Sequence, residues 1–364
     1  MKNIVLFINT LSSGGAEHQL VQLADGLVNR GYHVTITTFG DADDHYSFDS
    51  SIERHLIASR KSNVLKMLSI WWYFLTLKAD CVIAFGQRES RYMLEGFYLR
   101  PLHRIRVICG DRNTTYGSPS KTEKVLMSHL YKRADFIVPN SNAQLHHIVS
   151  MEPRYKRKTI CITNYTNLST YTVSSLPNGD VPRLGVFARY APQKNCMLFV
   201  EAIGELKRQT NKPFVIEWYG NVKIKDAPNP YFLEFKNKVE ELGLSDTIIL
   251  HDHVKDVVGY MSRFDAICLP SLFEGFSNSI SEAICCGKPC IVSDVADNCI
   301  MVHNGENGFL FAPSKIDSIV EAFKQYLNLS KQEKENMSKA SRNIAESLFD
   351  YDRFISSYVN LIEV

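Results

Sequence analysis

The stretch from Ile4 to Thr38 admits few folds. An apolar run, Ile4 to Ile8, is followed by the glycine turn "SSGGAE", an amphipathic helix from Glu17 to Asn29 with Gly31 as its cap, and a second strand, Val34 to Thr38. This is a β-α-β unit, whose two strands run parallel. Strand-like runs recur at Cys81–Phe85, Arg106–Cys109 and Phe136–Pro139, each followed by a turn and then helical periodicity, the alternation of a doubly wound parallel sheet. In such sheets function gathers at the carboxyl ends of the strands.

The short polar stretch "SSLPNGDVP", Ser174 to Pro182, is rich in turn formers and reads as an interdomain linker. After it the alternation restarts at Leu184–Phe187, Phe214–Trp218, Ile248–Leu250, Ala266–Leu269 and Cys290–Ser293. A chain of 364 residues suits two domains. The expected architecture is α/β, with two Rossmann-like domains facing a cleft, residues 1–173 and 183–349, joined by residues 174–182.

The run Met67 to Leu77 is far shorter than a membrane span of about 20 residues, and the first apolar run is too short for a signal-peptide core. A cytoplasmic location is expected. Nine scattered cysteines, without zinc-like spacing, read as buried thiols in a reducing compartment. The net charge of +2 hides an asymmetry: residues 1–175 carry a net +7 and residues 176–364 a net −5. The basic residues cluster at Arg88/Arg91, Arg100/Arg104/Arg106, Lys132/Arg133 and Arg154/Lys156/Arg157/Lys158, a pattern that suits phosphate or an anionic membrane surface as well as solvated helix faces.

"SSGGAE" sets Gly14 and Gly15 between a strand and a helix, where backbone N–H groups can receive an anion, although the G-x-G-x-x-G spacing of dinucleotide folds is absent. "VFARYAPQKN" places Arg189 and Lys194 just past a strand, where two cations could hold a pyrophosphate or stand as ordinary surface residues. In "SLFEGFSNSISEAICCGKPCIVSD" Glu274 and Glu282 stand eight apart, so a loop and a helix could aim both carboxylates into one cleft. "SIWWYFLTLK" gathers Trp71, Trp72, Tyr73 and Phe74 between Lys66 and Lys78, which fits either helix-to-sheet packing or a membrane interface.

These elements together resemble the retaining glycosyltransferases of family four, which have the GT-B fold. Arg-x4-Lys after the first strand of the second half, then "PSLFEGFSNSISEAICCGKPCI" and "NGENGFLF", carry the likeness. "GGAEHQLVQLADGL", "VPNSNAQ" and "ITNYTNL" extend it over nearly the whole chain.

The resemblance implies that Glu274 holds the donor sugar and Glu282 the nucleotide ribose, with Gly275, Phe276, Ser277 and Asn278 binding the sugar or distal phosphate. It implies that Arg189 and Lys194 neutralise the departing diphosphate, with Gly15 approaching it and no metal or other cofactor required. A C-terminal helix near residues 350–364 is expected to pack back on the first domain. Where many members carry a histidine, this chain has "CGDRNTTYG", which sets Asp111, Arg112 and Asn113 on the acceptor side. Arg112 is open to two readings, an acceptor phosphate or a structural role. His251 and His253 of "HDHV" read as packing or surface residues.

The implied activity is retaining transfer of a sugar from a nucleotide donor, expected to be UDP-linked, to a polyprenyl-diphosphate-linked saccharide. The setting would be surface polysaccharide synthesis (O-antigen or capsule) on the inner face of the membrane, with no nucleic-acid partner. The rivals are a sugar-nucleotide epimerase of the same fold and a non-catalytic scaffold.

Overall fold

A computed structural model describes residues 1–364 apart from 13, 41–42, 58–61, 99, 101–104, 113–119 and 225. The chain divides into two compact units, Met1–Tyr165 with Tyr351–Val364, and Thr166–Asp350.

The first unit contains strands β1 (Asn3–Ile8), β2 (His33–Thr38), β3 (Glu53–Leu56), β4 (Cys81–Phe85), β5 (Arg106–Asp111) and β6 (Phe136–Pro139). Its helices are α1 (Gly15–Asn29), α2 (Asn63–Thr76), α3 (Gln87–Tyr98), α4 (Lys121–Val125) and α5 (Asn142–Met151). The strands form one parallel sheet in the order β3-β2-β1-β4-β5-β6. Both faces of β1 are buried from Ile4 to Ile8, as a central strand covered by helices on each side requires. Ile70 and Phe74 of α2 pack inward, and the Phe74 ring meets Phe7 edge-on at 4.9 Å. Ser141 caps α5 by accepting from the Gln144 N–H.

The second unit repeats the plan. Its strands are β7 (Arg183–Phe187), β8 (Val215–Tyr219), a small hairpin of β9 (Lys223–Ile224) and β10 (Ala227–Pro228), β11 (Ile248–His251), β12 (Ala266–Leu269), β13 (Cys290–Ser293) and β14 (Gly308–Phe311). Helices α6 (Cys196–Gln209), α7 (Pro230–Glu241), α8 (Val257–Met261), α9 (Asn278–Cys285), α10 (Asn298–Met301), α11 (Ile316–Asn328) and α12 (Lys331–Leu348) accompany them. The large sheet runs β11-β8-β7-β12-β13-β14, again all parallel. Its core is aromatic: Trp218 packs between Phe199 and Phe235 at 5.8 and 5.2 Å.

The final helix, α13 (Tyr351–Glu363), belongs to the first unit. Ile355 packs over Gly26 of α1, where a Cβ would lie 2.1 Å from the Ile355 Cδ1, and the Tyr351 hydroxyl donates to the Gln22 carbonyl at 3.0 Å.

The boundary between units falls earlier in the chain than the turn-rich stretch suggests. Residues 166–182 count with the second unit because α12 holds them: Arg342 donates to the Tyr171 carbonyl at 3.0 Å, and Lys331 donates to Asn178 at 2.9 Å. Strands β3 and β14 have no strand reading in the sequence. Glu53–Leu56 is an edge strand with little buried surface, so it lacks apolar alternation. Gly308–Phe311 opens on a glycine that lets two backbones meet, for a Cβ at Gly308 would stand 1.9 Å from the Cys290 carbonyl oxygen.

Candidate active site

In each sheet the strand order reverses direction between the first and fourth strands, β1 and β4 in one unit and β7 and β12 in the other. The helices after those neighbours leave to opposite faces, which opens a crevice at their carboxyl ends. In the second unit, Arg189 and Lys194 follow β7, while Glu274 and the N-terminus of α9 follow β12.

The loop after β7 is stitched to the loop after β12. The Leu272 N–H donates to the Gln193 carbonyl, and the Gln193 side-chain amide donates to the Phe273 carbonyl, both at 2.9 Å. The same loop is anchored to its neighbours in the sheet, with Tyr190 donating to the Trp218 and His251 carbonyls at 2.8 Å and Trp218 donating to the Ala188 carbonyl at 2.8 Å. On this frame Lys194 donates to Glu274, and Ser271 donates to the same carboxylate oxygen at 2.6 Å. Glu274 is 8% exposed. Arg189 lies more openly and reaches the Gln193 side-chain oxygen at 3.4 Å. Ser271 and Gln193 escape a reading by residue type. Their signal is position alone, Ser271 two residues past β12 and Gln193 next to Lys194 in the loop after β7.

Glycine, phenylalanine and serine at positions 275–277 lead into α9, and Phe276 is held edge-on by Phe349 at 6.3 Å. Ser277 stands at the N-cap without a side-chain cap bond. Glu282 lies on α9 one turn beyond Asn278. Among the described residues its carboxyl has no hydrogen-bond or ion-pair partner, and burial pushes its pKa up to about 7.

In the first unit Gly15 is the opening residue of α1, past β1, with Gly14 in extended backbone before it. Asp111 is fully buried at the end of β5, accepting from Gln87 at 3.0 and 3.2 Å and from Gln144 at 3.3 Å. Arg112 donates to Asn164 at 2.9 Å and to the Tyr358 hydroxyl of α13, with its guanidinium 4.7 Å from the Phe85 ring centroid. These bonds hold Arg112 within the first unit and set Asp111 among buried amides. Asn113 lies outside the described residues. His251 stacks on Tyr219 at 4.5 Å and meets Glu217 at 3.1 Å, while His253 is exposed beside Asp252.

The basic clusters are less available than their spacing suggests. Arg88 pairs with Glu89 and Arg91 with Glu95, Arg100 donates to the Leu77 carbonyl, and Arg133 lies over the Tyr98 ring. In the run 154–158, Arg154 pairs with Glu152, and Lys158 donates to the Tyr131 and Ala134 carbonyls. Of the aromatic stretch only Trp72 faces outward, since Phe74 is buried, Tyr73 bonds Thr37 at 2.9 Å and Trp71 is half-buried.

Residues 170–344 match the family model described as "Glycosyl transferases group 1". The second unit, with the crevice just described, is therefore a group 1 glycosyltransferase domain. Over the whole chain the fold is that of solved GT-B glycosyltransferases. The Anabaena HepE protein in complex with UDP and glucose superposes with a TM-score of 0.80 over 100% of both chains at 17% identity, a likeness of fold. By sequence the chain is 24% identical over 93% of its length, and 94% of the relative's, to a Campylobacter jejuni "N-acetylgalactosamine-N,N'-diacetylbacillosaminyl-diphospho-undecaprenol 4-alpha-N-acetylgalactosaminyltransferase". It is 32% identical over 37% of its length, and 33% of the relative's, to an Escherichia coli "UDP-Gal:alpha-D-GlcNAc-diphosphoundecaprenol alpha-1,3-galactosyltransferase".

Proposed function

We propose that this chain transfers a sugar, with retention of anomeric configuration, from a UDP-linked donor to a saccharide carried on a polyprenyl diphosphate. The setting is surface polysaccharide synthesis, O-antigen or capsule, at the inner face of the cytoplasmic membrane. The observation that carries the reading is the Lys194–Glu274 pair, with Arg189 beside it, at the switch point of a group 1 glycosyltransferase domain. UDP in the solved HepE complex and UDP-Gal in the E. coli relative's name support the donor. Diphospho-undecaprenol in the names of both relatives supports the acceptor.

The proposed chemistry follows from the pair. Two charges shielded from water satisfy one another until the donor offers each a better partner. The diphosphate takes Lys194 together with Arg189, and the sugar hydroxyls take Glu274, which also lies where positive charge develops on the ring. Gly275, Phe276, Ser277 and Asn278, at the start of α9, supply N–H groups to the sugar or distal phosphate, and Glu282 accepts from the ribose. With two cations on the leaving group, no metal ion is invoked. The acceptor attacks from the face the diphosphate leaves, and a diphosphate oxygen takes its proton.

A thermal-shift screen of nucleotide sugars tests the donor. UDP and one UDP-sugar should raise the melting temperature more than their GDP and ADP counterparts, and no response to any uridine nucleotide would refute it. Incubation with the donor alone separates the epimerase alternative, which predicts an epimerised nucleotide sugar without acceptor.

A further inference from the structure

Lys194 stands on a turn whose backbone changes hand before α6 begins. It closes a single 3-10 turn, Pro192–Lys194, in which its N–H donates to the Ala191 carbonyl at 2.9 Å, and one residue, Asn195, separates that turn from the helix. Asn195 has φ +58° and ψ +32°, the left-handed conformation, and is 7% exposed. Among the described residues, the other non-glycine positions with positive φ, Asp226 and Ala296, adjoin no residue of the proposed site. A side chain in this conformation crowds the following carbonyl, and only glycine and, less often, asparagine or aspartate visit it routinely.

The Asn195 side chain points to the same role. An asparagine at a helix N-cap ordinarily has extended backbone and accepts from an N–H of the first turn. Asn195 does neither: it makes no cap bond, and its amide donates to the Pro313 carbonyl at 2.8 Å. Pro313 lies two residues past β14, where Phe311 of β14 meets Phe323 of α11 at 6.5 Å and Phe323 meets Phe199 of α6 at 5.7 Å. The bond therefore joins the turn that carries Lys194 to the aromatic core of the unit. On its other side Lys194 is flanked by Gln193, whose carbonyl and side-chain amide both bond the loop after β12. Fixed from both neighbours, Lys194 meets Glu274. A right-handed residue 195 would change the angle between the turn and α6, and with it the direction in which Lys194 leaves the backbone.

We propose that Asn195 is a positioning residue of the donor site: its left-handed backbone aims the Lys194 ammonium at Glu274 and at the incoming diphosphate, and its bond to Pro313 holds that backbone in place. The inference rests on the reading of Lys194 as a diphosphate ligand. Where the left-handed form is no longer favoured, diphosphate binding has to restore it, and apparent affinity falls with the fraction of molecules that hold it.

Calorimetry of the full chain with UDP and with uridine tests this, with thermal melts to show that each variant is folded. Asn195→Ala keeps neither the conformation nor the bond, and should weaken UDP binding by about tenfold and uridine binding by less than about twofold. The donor KM should rise by the same factor, the loss falling on KM rather than kcat. Asn195→Gly regains the conformation and should bring the UDP-to-uridine ratio back to within about threefold of the parent. Asn195→Asp tolerates the conformation but cannot donate to Pro313, and should lose about threefold in that ratio; it carries the test if Asn195→Ala does not fold. Equal losses for the two ligands, an unchanged ratio in Asn195→Ala or Asn195→Asp, or an Asn195→Gly protein no better than Asn195→Ala overturns the proposal. Lys194→Ala separates the two levels. A ratio that it leaves unmoved refutes the diphosphate clasp and this proposal with it, whereas a ratio that falls in Lys194→Ala and in neither Asn195→Ala nor Asn195→Asp overturns the positioning role alone.

Discussion

Lys194 and Glu274 shield each other's charge in a setting about a tenth exposed, so removing one leaves the other poorly solvated. Glu274→Ala should lower kcat/KM by about 100-fold or more, the usual loss for one electrostatic contact to a transition state, while UDP binding stays nearly intact. Steady-state kinetics with calorimetry checks this, and wild-type turnover would refute the assignment. Arg189→Ala and Lys194→Ala should weaken UDP binding more than uridine binding, and equal losses would remove the diphosphate clasp. Glu282 makes a pH prediction. Its folded pKa, about 7, exceeds the ordinary 4.5, so the protonated form is favoured on folding. The sign follows: this contribution to stability is fully present below about pH 4.5 and is lost as pH rises through 7. Melting temperature should decline across that window less steeply in Glu282→Gln, and uridine affinity should rise with pH through 7 in the parent alone. Residue type and position past a strand made Arg189, Lys194 and Glu274 legible in the sequence. The inward bonds of Asp111, Arg112, Arg154 and Lys158 were not, because their partners Gln87, Tyr358, Glu152 and Tyr131 are named by packing.

At the scale of elements, strong apolar runs such as Cys81–Phe85 and Ala266–Leu269 were legible to the residue, because central strands of a parallel sheet are buried on both faces. The polar edge strand β3 and the glycine-led β14 were not. The return of α13 depends on Gly26, which has no room for a side chain beneath Ile355. Gly26→Val should therefore displace α13 and cost about 1–3 kcal/mol, as overpacking does. Thermal melts should show it, with Tyr358 and Arg112 losing their contact. An unchanged melting temperature would mean that α13 adjusts without penalty.

At the scale of the molecule, two sheets of identical strand order place their loops at equivalent switch points, and the group 1 domain concentrates the proposed donor groups at one of them. The split was foreseeable from the restart of the strand-helix alternation. Its position was not, because Arg342 and Lys331, far along the chain, decide which unit residues 166–182 join. The central claim is retaining transfer from a UDP-sugar to a polyprenyl-diphosphate-linked saccharide. Its most direct test is the anomeric configuration, by proton NMR, of the product formed from an α-linked UDP-sugar and a short-chain acceptor of that kind. The account predicts an α-linked product, made at least about 100-fold more slowly by Glu274→Ala. A β-linked product, or a donor epimerised or hydrolysed with no glycoside formed, would contradict it.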